Sequence, residues 1–402
     1  MRRARWGARW GARWGARLGA RRVADEGAPW RRRLRLAVRV AAAALAGALA
    51  LVLVAAAATP LGRYVSRAAW EEAKILARRR DIAAILADSG GASPTSADDR
   101  RRLQLVVEAR AFAAGAIGLD AGQSFTTYSA LERDTLVLVL SAARRDTLAA
   151  YTWWFPVVGR FPYKGFFDFG EAARTAEAMR RGGYDTYLRP ASAFSTLGWF
   201  NDPLLSTTLR LDTLDLANTV IHELAHNSLF VKDQVAFNES FASFVGARGA
   251  IEFFQARGAP VAARALEREW RDQKLLGAFW GATLAAVDSA FARHPGDSTA
   301  RVAARDTVFG RMRGVLLRDV APRLETIPAQ RLQGIVLDNA SLMARRVYAA
   351  DPWLFDAVHA RGGGSVRETV QLVARLVRES PGDPFDALRR WLATTHPAPP
   401  LS

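Results

Sequence analysis

The sequence predicts an α+β protein that is mostly helical, with a small mixed or antiparallel sheet ahead of a metal-binding helix. Three observations lead there. After Thr213, apolar residues recur at helical spacing almost to the end of the chain. Between Asp134 and Leu197 the apolar runs shorten to strand length and alternate with Pro and Gly breakers. Where the two regions meet stands His222-Glu223-Leu224-Ala225-His226.

Taken in order, residues 1–39 form a basic, low-complexity tail. Ala-Arg-Trp-Gly recurs at Ala4–Gly7, Ala8–Gly11 and Ala12–Gly15, a period too short to build a core. Val40–Ala58 then runs nineteen residues without a charge. A helix of that length just crosses a hydrocarbon core. Arginines crowd its N-terminal side and only Arg63 and Arg67 follow closely, so the expected orientation is tail in the cytoplasm and body outside. That makes a single-pass signal anchor in the cytoplasmic (inner) membrane with a periplasmic, extracytoplasmic body. Cleavage after the small residues Ala56-Ala57-Ala58 is the rival.

Residues 59–213 read as N-terminal helices and the small sheet. Ser66–Ala87 and Arg100–Gly115 carry helical periodicity, with a Gly/Ser/Pro/Asp loop between them. Thr135–Leu140, Phe161–Phe167, Tyr184–Arg189 and Phe194–Leu197 are strand candidates, and Gly170–Arg181 is a helix stopped by Gly182-Gly183. Trp153, Trp154, Phe155, Phe161, Phe166 and Phe167 are expected in the core. Residues 214–390 form the helical half, in which Leu214–Ser228, Asn238–Gly258, Val261–Ala292 and Thr299–Asp319 are the strongest helices. Residues 391–402 are a tail.

Composition narrows the function. Half of the 402 residues are hydrophobic, enough for a sizeable core. There is no cysteine, which excludes disulfide scaffolds, thiolate zinc fingers, iron–sulfur centres and cysteine proteases. The net charge of +17 suggests nucleic acid until it is located: +11 of it lies in residues 1–39. The body is only mildly basic, so no nucleic-acid partner is expected.

Any metal site must then use His, Asp or Glu. On a helix, His222 and His226 lie one turn apart on one face, so both imidazoles can reach one zinc ion. Glu223 falls beside the ion without ligating it, placed to take a proton from a metal-activated water. A surface helix with two histidines is the bland alternative. A catalytic zinc needs a third ligand. Glu239, in Asn238-Glu239-Ser240-Phe241-Ala242, is the candidate if Lys232-Asp233-Gln234 turns the chain back; otherwise it is a first-turn acid favoured by the helix dipole.

His-Glu-x-x-His followed by Asn-Glu-x-x-Ala resembles the gluzincin metallopeptidases, and the short spacing is similar to a family of bacterial predicted aminopeptidases. Tyr163-Lys164-Gly165, Ser195–Pro203, Phe237–Ala242 and Asp338-Asn339-Ala340 also look like that family's blocks, over about residues 60–385. The resemblance implies a zincin-like fold, Zn2+ held by His222, His226 and Glu239, a peptide substrate and probable aminopeptidase activity. Many members carry a lipoprotein cysteine that this chain lacks.

Peptide hydrolysis also needs a donor for the developing oxyanion. Tyr348 is the candidate; it reads equally as a half-buried helix tyrosine. Asn339 either orients a ligand or caps a helix. Glu171, Asp185 and Asp202 are available acids for a substrate amine, and nothing in the sequence selects one. His294, His359 and His396 read as exposed or structural. Two functions of other classes compete with the peptidase: a non-catalytic envelope protein with a structural zinc, and a metal-free scaffold whose arginine–tryptophan tail binds anionic lipid or nucleic acid.

Overall fold

The computed structural model describes residues 29–88, 95–132, 134–135, 137–155, 159–191, 203–348, 351–380 and 382–394. By internal packing the chain separates into Met1–Arg67 and Ala68–Ser402. The first unit contains α1 (Pro29–Ala58), a continuous helix that takes in the uncharged run. Leu34, Leu36, Val38, Val40, Leu45, Leu51 and Val54 on it are all exposed.

The second unit opens with the end of α2 (Pro60–Ala77), then β1 (Arg80–Asp81) and α3 (Ile82–Ala87). The single helix expected over Ser66–Ala87 is therefore broken. Arg80 and Asp81 pair with Tyr128 and Thr127, and Asp81 then caps α3 by accepting the Ala84 N–H. Next come α4 (Ala97–Phe112), β2 (Thr127–Ser129), β3 (Val137–Arg144), β4 (Trp153–Phe155), β5 (Gly159–Phe161), β6 (Tyr163–Phe166), α5 (Phe169–Arg181), β7 (Tyr184–Ala191) and β8 (Leu204–Leu205). The expected strand Phe194–Leu197 lies outside the described residues.

The sheets are small. β1–β2–β8 is mixed, with β2 and β8 parallel, whereas β6–β3–β7 is wholly antiparallel. β7 is an edge strand of that sheet, where Pro190 is tolerated. α5 covers one face, burying Ala172 and Ala176 against Leu140 and Phe166. β4 and β5 form a separate hairpin. The aromatic run splits accordingly: Phe166 and Phe167 are core, while Trp154 on the hairpin is 55% exposed, against expectation.

The helical half follows as α6 (Ser206–Leu209), α7 (Thr213–Ser228), α8 (Val235–Ala256), α9 (Pro260–Ala292), α10 (Ser298–Val315), α11 (Ala329–Gln333), α12 (Asn339–Tyr348), α13 (Pro352–Arg361), α14 (Val366–Glu379) and α15 (Pro384–Thr394). The main core packs Leu103 and Val106 of α4 against Leu216 and Val220 of α7, Phe237, Phe241 and Phe244 of α8, and Phe355 of α13. α9 is long and apolar enough to cross a membrane by length and composition. Its Trp270 joins the main core and its Phe279, Trp280, Val287 and Phe291 build a second core with α10, so it meets that test as a core helix does.

One buried polar knot ties the halves together. Asp185 of β7 pairs with Arg305 of α10, each under 10% exposed, and accepts the Asn339 N–H of α12 at 3.0 Å. Buried charges persist only when paired this way. Asp185 is thereby committed to structure rather than to a substrate amine.

Candidate metal centre

α7 begins where Asp212 accepts the Leu214 and Asp215 N–H groups at 2.8 and 2.9 Å. Leu216, Ala217, Val220, Ile221, Leu224 and Ala225 form its buried stripe. The alternation of that stripe leaves His222, Glu223 and His226 half-buried at its margin.

The turn after α7 is fastened by one side chain. Asn238 is 3% exposed; its Oδ1 accepts the Val231 N–H at 2.9 Å and its Nδ2 donates to the Val231 carbonyl at 2.8 Å. Asp233 takes a left-handed φ of 62° in the same turn, which Asp tolerates better than most residues. The chain reverses and α8 brings Glu239 back to the histidines.

Two glycines of α8 make the approach possible. A Cβ at Gly246 would stand 2.9 Å from His222 Cβ and 3.0 Å from the Asn218 carbonyl oxygen, besides meeting Asn218 Oδ1. A Cβ at Gly249 would stand 2.7 Å from Ile117 and 2.9 Å from Ile221. The two helices therefore touch backbone to side chain at the level of His222. Neither Asn238 as a turn clip nor Gly246 as a spacer was anticipated from the sequence. The run of small residues Ala242, Gly246, Gly249 and Ala250 along α8 is the signal that could have found the glycines.

The result is a compact donor set. His222 Nε2 lies 3.6 Å from one Glu239 oxygen and His226 Nε2 lies 3.7 Å from the other. The imidazole rings meet edge to face, with centroids 5.0 Å apart. One ligand atom from each of the three residues falls within 4.8 Å of the other two. Tetrahedral zinc with bonds of 2.0–2.2 Å holds its ligand atoms about 3.4 Å apart. The histidine–glutamate separations are close to that edge length, and the donor types suit zinc. A His/His/Glu group able to hold a metal is thus present. Each of its side chains keeps about a fifth of its surface exposed, leaving a side open.

The electrostatics suit a cation. On Glu239 burial acts to raise the pKa, but the His222 contact, the histidine charges and Arg189 of β7 outweigh it and hold the carboxyl below its ordinary value. On His222 burial acts downward, and the Glu239 contact with the Glu223 charge carries the group above its ordinary value. His226 is pushed down to about 4 by burial, with the His222 charge adding to it. In the metal-free chain the two histidines should titrate on opposite sides of pH 6.5, which NMR of the imidazole resonances reads directly. The His226 contribution to stability should be complete above about pH 6.5 and lost as the pH falls through about 4, because the unfolded chain takes that proton first.

The remaining expected residues separate cleanly. Tyr348 is the last residue of α12, and its side chain lies outside what is described, as do Asp202 and His396. Asn339 opens α12 fully buried, with Nδ2 donating to the carbonyls of Arg144, Arg145 and Thr147 at 2.8–3.2 Å. It anchors the turn after β3 and orients no metal ligand. His359 Nδ1 contacts Thr369 Oγ1 at 2.8 Å beside the Phe244 ring, a structural role. His294 lies in the turn after α9, where its carbonyl accepts from Arg301 Nε at 2.9 Å. Glu171 sits in the first turn of α5.

A family model described as "Putative aminopeptidase" matches residues 63–386, which include both sheets and the whole donor set. No curated protein and no solved structure matches the chain. With four-fifths of its length inside that match, the chain belongs to the putative aminopeptidase family.

Proposed function

We propose that this protein is a gluzincin-type zinc metallopeptidase, acting as an aminopeptidase, anchored in the cytoplasmic membrane with its body outside. The observation that carries the reading is the convergence of His222, His226 and Glu239 with Glu223 one residue away on the same helix. His222, His226 and Glu239 would hold the metal. Zinc bound there would polarise a peptide carbonyl and acidify a water. The Glu223 carboxylate accepts that water's proton and returns it to the leaving amine. Tyr348 is proposed as the donor to the oxyanion.

A structural zinc is closed by four protein ligands, whereas a catalytic one keeps a position open. Three donors converge among the described residues, on a side open to solvent, which favours catalysis over the structural-zinc alternative. Family membership points the same way, toward a peptidase.

The full-length chain should hold close to one zinc, measured by elemental analysis, and should release N-terminal residues from a peptide library. His222→Ala and His226→Ala should each lose the metal. Full zinc retention by both variants, or a loaded protein that cleaves nothing, would sink the reading.

The anchor is supported by the exposed apolar surface of α1 and the arginines ahead of it. Protease added to intact spheroplasts should digest the body and spare the arginine–tryptophan tail. A mature N-terminus near Thr59 would convert the anchor to a cleaved signal, and a fully protected body would refute export.

A further inference from the structure

β7 presents Asp185, Tyr187 and Arg189 on one face, since alternate residues of a strand point the same way. α12 lies against that face: Asn339 meets Asp185, and Ala340 and Met343 pack beside Tyr187. At the end of this contact Arg189, Met343 and Ala344 line a small recess with Ser141 and Tyr163. Arg345, next on α12, places its guanidinium 4.5 Å from the Trp280 ring centroid and 5.5 Å from that of Tyr187. Its Nε is buried and has no hydrogen-bond partner among the described residues.

That arrangement is unfavourable as it stands. A guanidinium stays charged in proteins and offers five N–H donors in a planar fork. A buried donor left unmade is costly. Burial lowers the pKa of Arg345, and the like charge of Arg189 acts in the same direction. The aromatic walls hold the plane of the fork but satisfy none of its N–H groups. An anion between the two arginines would satisfy both, and a carboxylate matches the fork in geometry. Arg189 also acts on Glu239, so this end of the recess lies toward the metal ligands.

We propose that Arg189 and Arg345 form a carboxylate-binding subsite beside the His222–His226–Glu239 centre, which selects peptides carrying a carboxylate close to the scissile bond. This rests on the peptidase reading for its substrate, but not for the existence of the subsite. The carboxylate can be the C-terminus of a very short peptide or an acidic side chain.

Calorimetry on the full-length, zinc-loaded Glu223→Gln protein tests it without turnover. The probes are the tripeptide Leu-Gly-Gly, its C-terminal amide, and the amides of Leu-Glu-Gly and Leu-Gln-Gly. We expect the free acid to bind about ten-fold or more tighter than its amide if the terminus is read, or the Glu amide to show that advantage over the Gln amide if a side chain is read. Either pattern supports the subsite. The advantage should shrink to about three-fold or less in Arg189→Gln and Arg345→Gln, and return in part in Arg345→Lys, with zinc content unchanged. Equal binding of all four probes would overturn the proposal, and this comparison needs no arginine variant to fold. A carboxylate advantage that survives both Gln variants would also overturn it, by placing the anion on the metal. Hydrolysis of the same probes by the unsubstituted protein separates the two readings. Carboxylate preference without hydrolysis would count against the peptidase alone. Hydrolysis without preference would count against the subsite alone.

Discussion

Replacing Glu223 by Gln is expected to leave the zinc content unchanged and to lower peptide turnover by about 10²–10⁴-fold. The side chain projects from α7 one residue past His222, half-buried and outside the donor group. Its charge acts on His222 without replacing any ligand. Glutamine keeps the shape and polarity of the side chain and removes only its capacity to accept and return a proton. Turnover should therefore fall while KM stays nearly constant, the sign of an interaction made in the transition state. Glu239→Gln reverses the pattern. It weakens a ligand, so metal content falls first and activity follows in proportion. A Glu223→Gln protein that sheds its metal, beside a Glu239→Gln protein that keeps it, would exchange the two roles.

The parts of this site that were legible in the sequence are those whose geometry is local. Two histidines four residues apart share a helix face whatever surrounds them, so His222 and His226 could be placed by counting. The helices of the second half were likewise legible because each buries one stripe, as α7 does with Leu216, Val220 and Leu224. Glu239 was only half legible: its nearness depends on a reversal at Lys232-Asp233, and the side chain that fastens it, Asn238, bonds to Val231 seven residues away. What failed was set at long range. β1 interrupts an otherwise good helical pattern because its partner, Tyr128, lies far along the chain. Trp154 looked like core because an apolar run does not say which strands leave the sheet for a hairpin. Asp185 and Asn339 looked like candidates for chemistry, and each is consumed by a partner from another part of the fold.

Gly246→Ala should destabilise the protein by about 1–3 kcal/mol and weaken zinc binding with it, an effect readable as a lower denaturation midpoint and a higher zinc dissociation constant. The new methyl group would meet the Asn218 amide, which can swing away. It would also stand 2.9 Å from His222 Cβ and 3.0 Å from the Asn218 carbonyl oxygen, which are fixed by the backbone of α7. Real Cβ atoms do not approach so closely, so α8 must move outward by some tenths of an ångström. That movement carries Glu239 away from His222 and His226, because all three are fixed to the same two helices. Zinc tolerates little spread in its bond lengths, so the cost falls on the metal as well as on the fold. Gly281 of α9 supplies the control. Nothing lies within 4 Å of a Cβ built there, and the residue sits inside a regular helix. Gly281→Ala should therefore stabilise by about 0.4–1 kcal/mol through the unfolded chain and helix propensity, with zinc affinity untouched. A larger group, as in Gly246→Leu, should abolish stoichiometric zinc binding, since no shift of a few tenths of an ångström can admit it. If Gly246→Ala instead behaved like Gly281→Ala, the contact between α7 and α8 would not be what sets the spacing of the metal ligands.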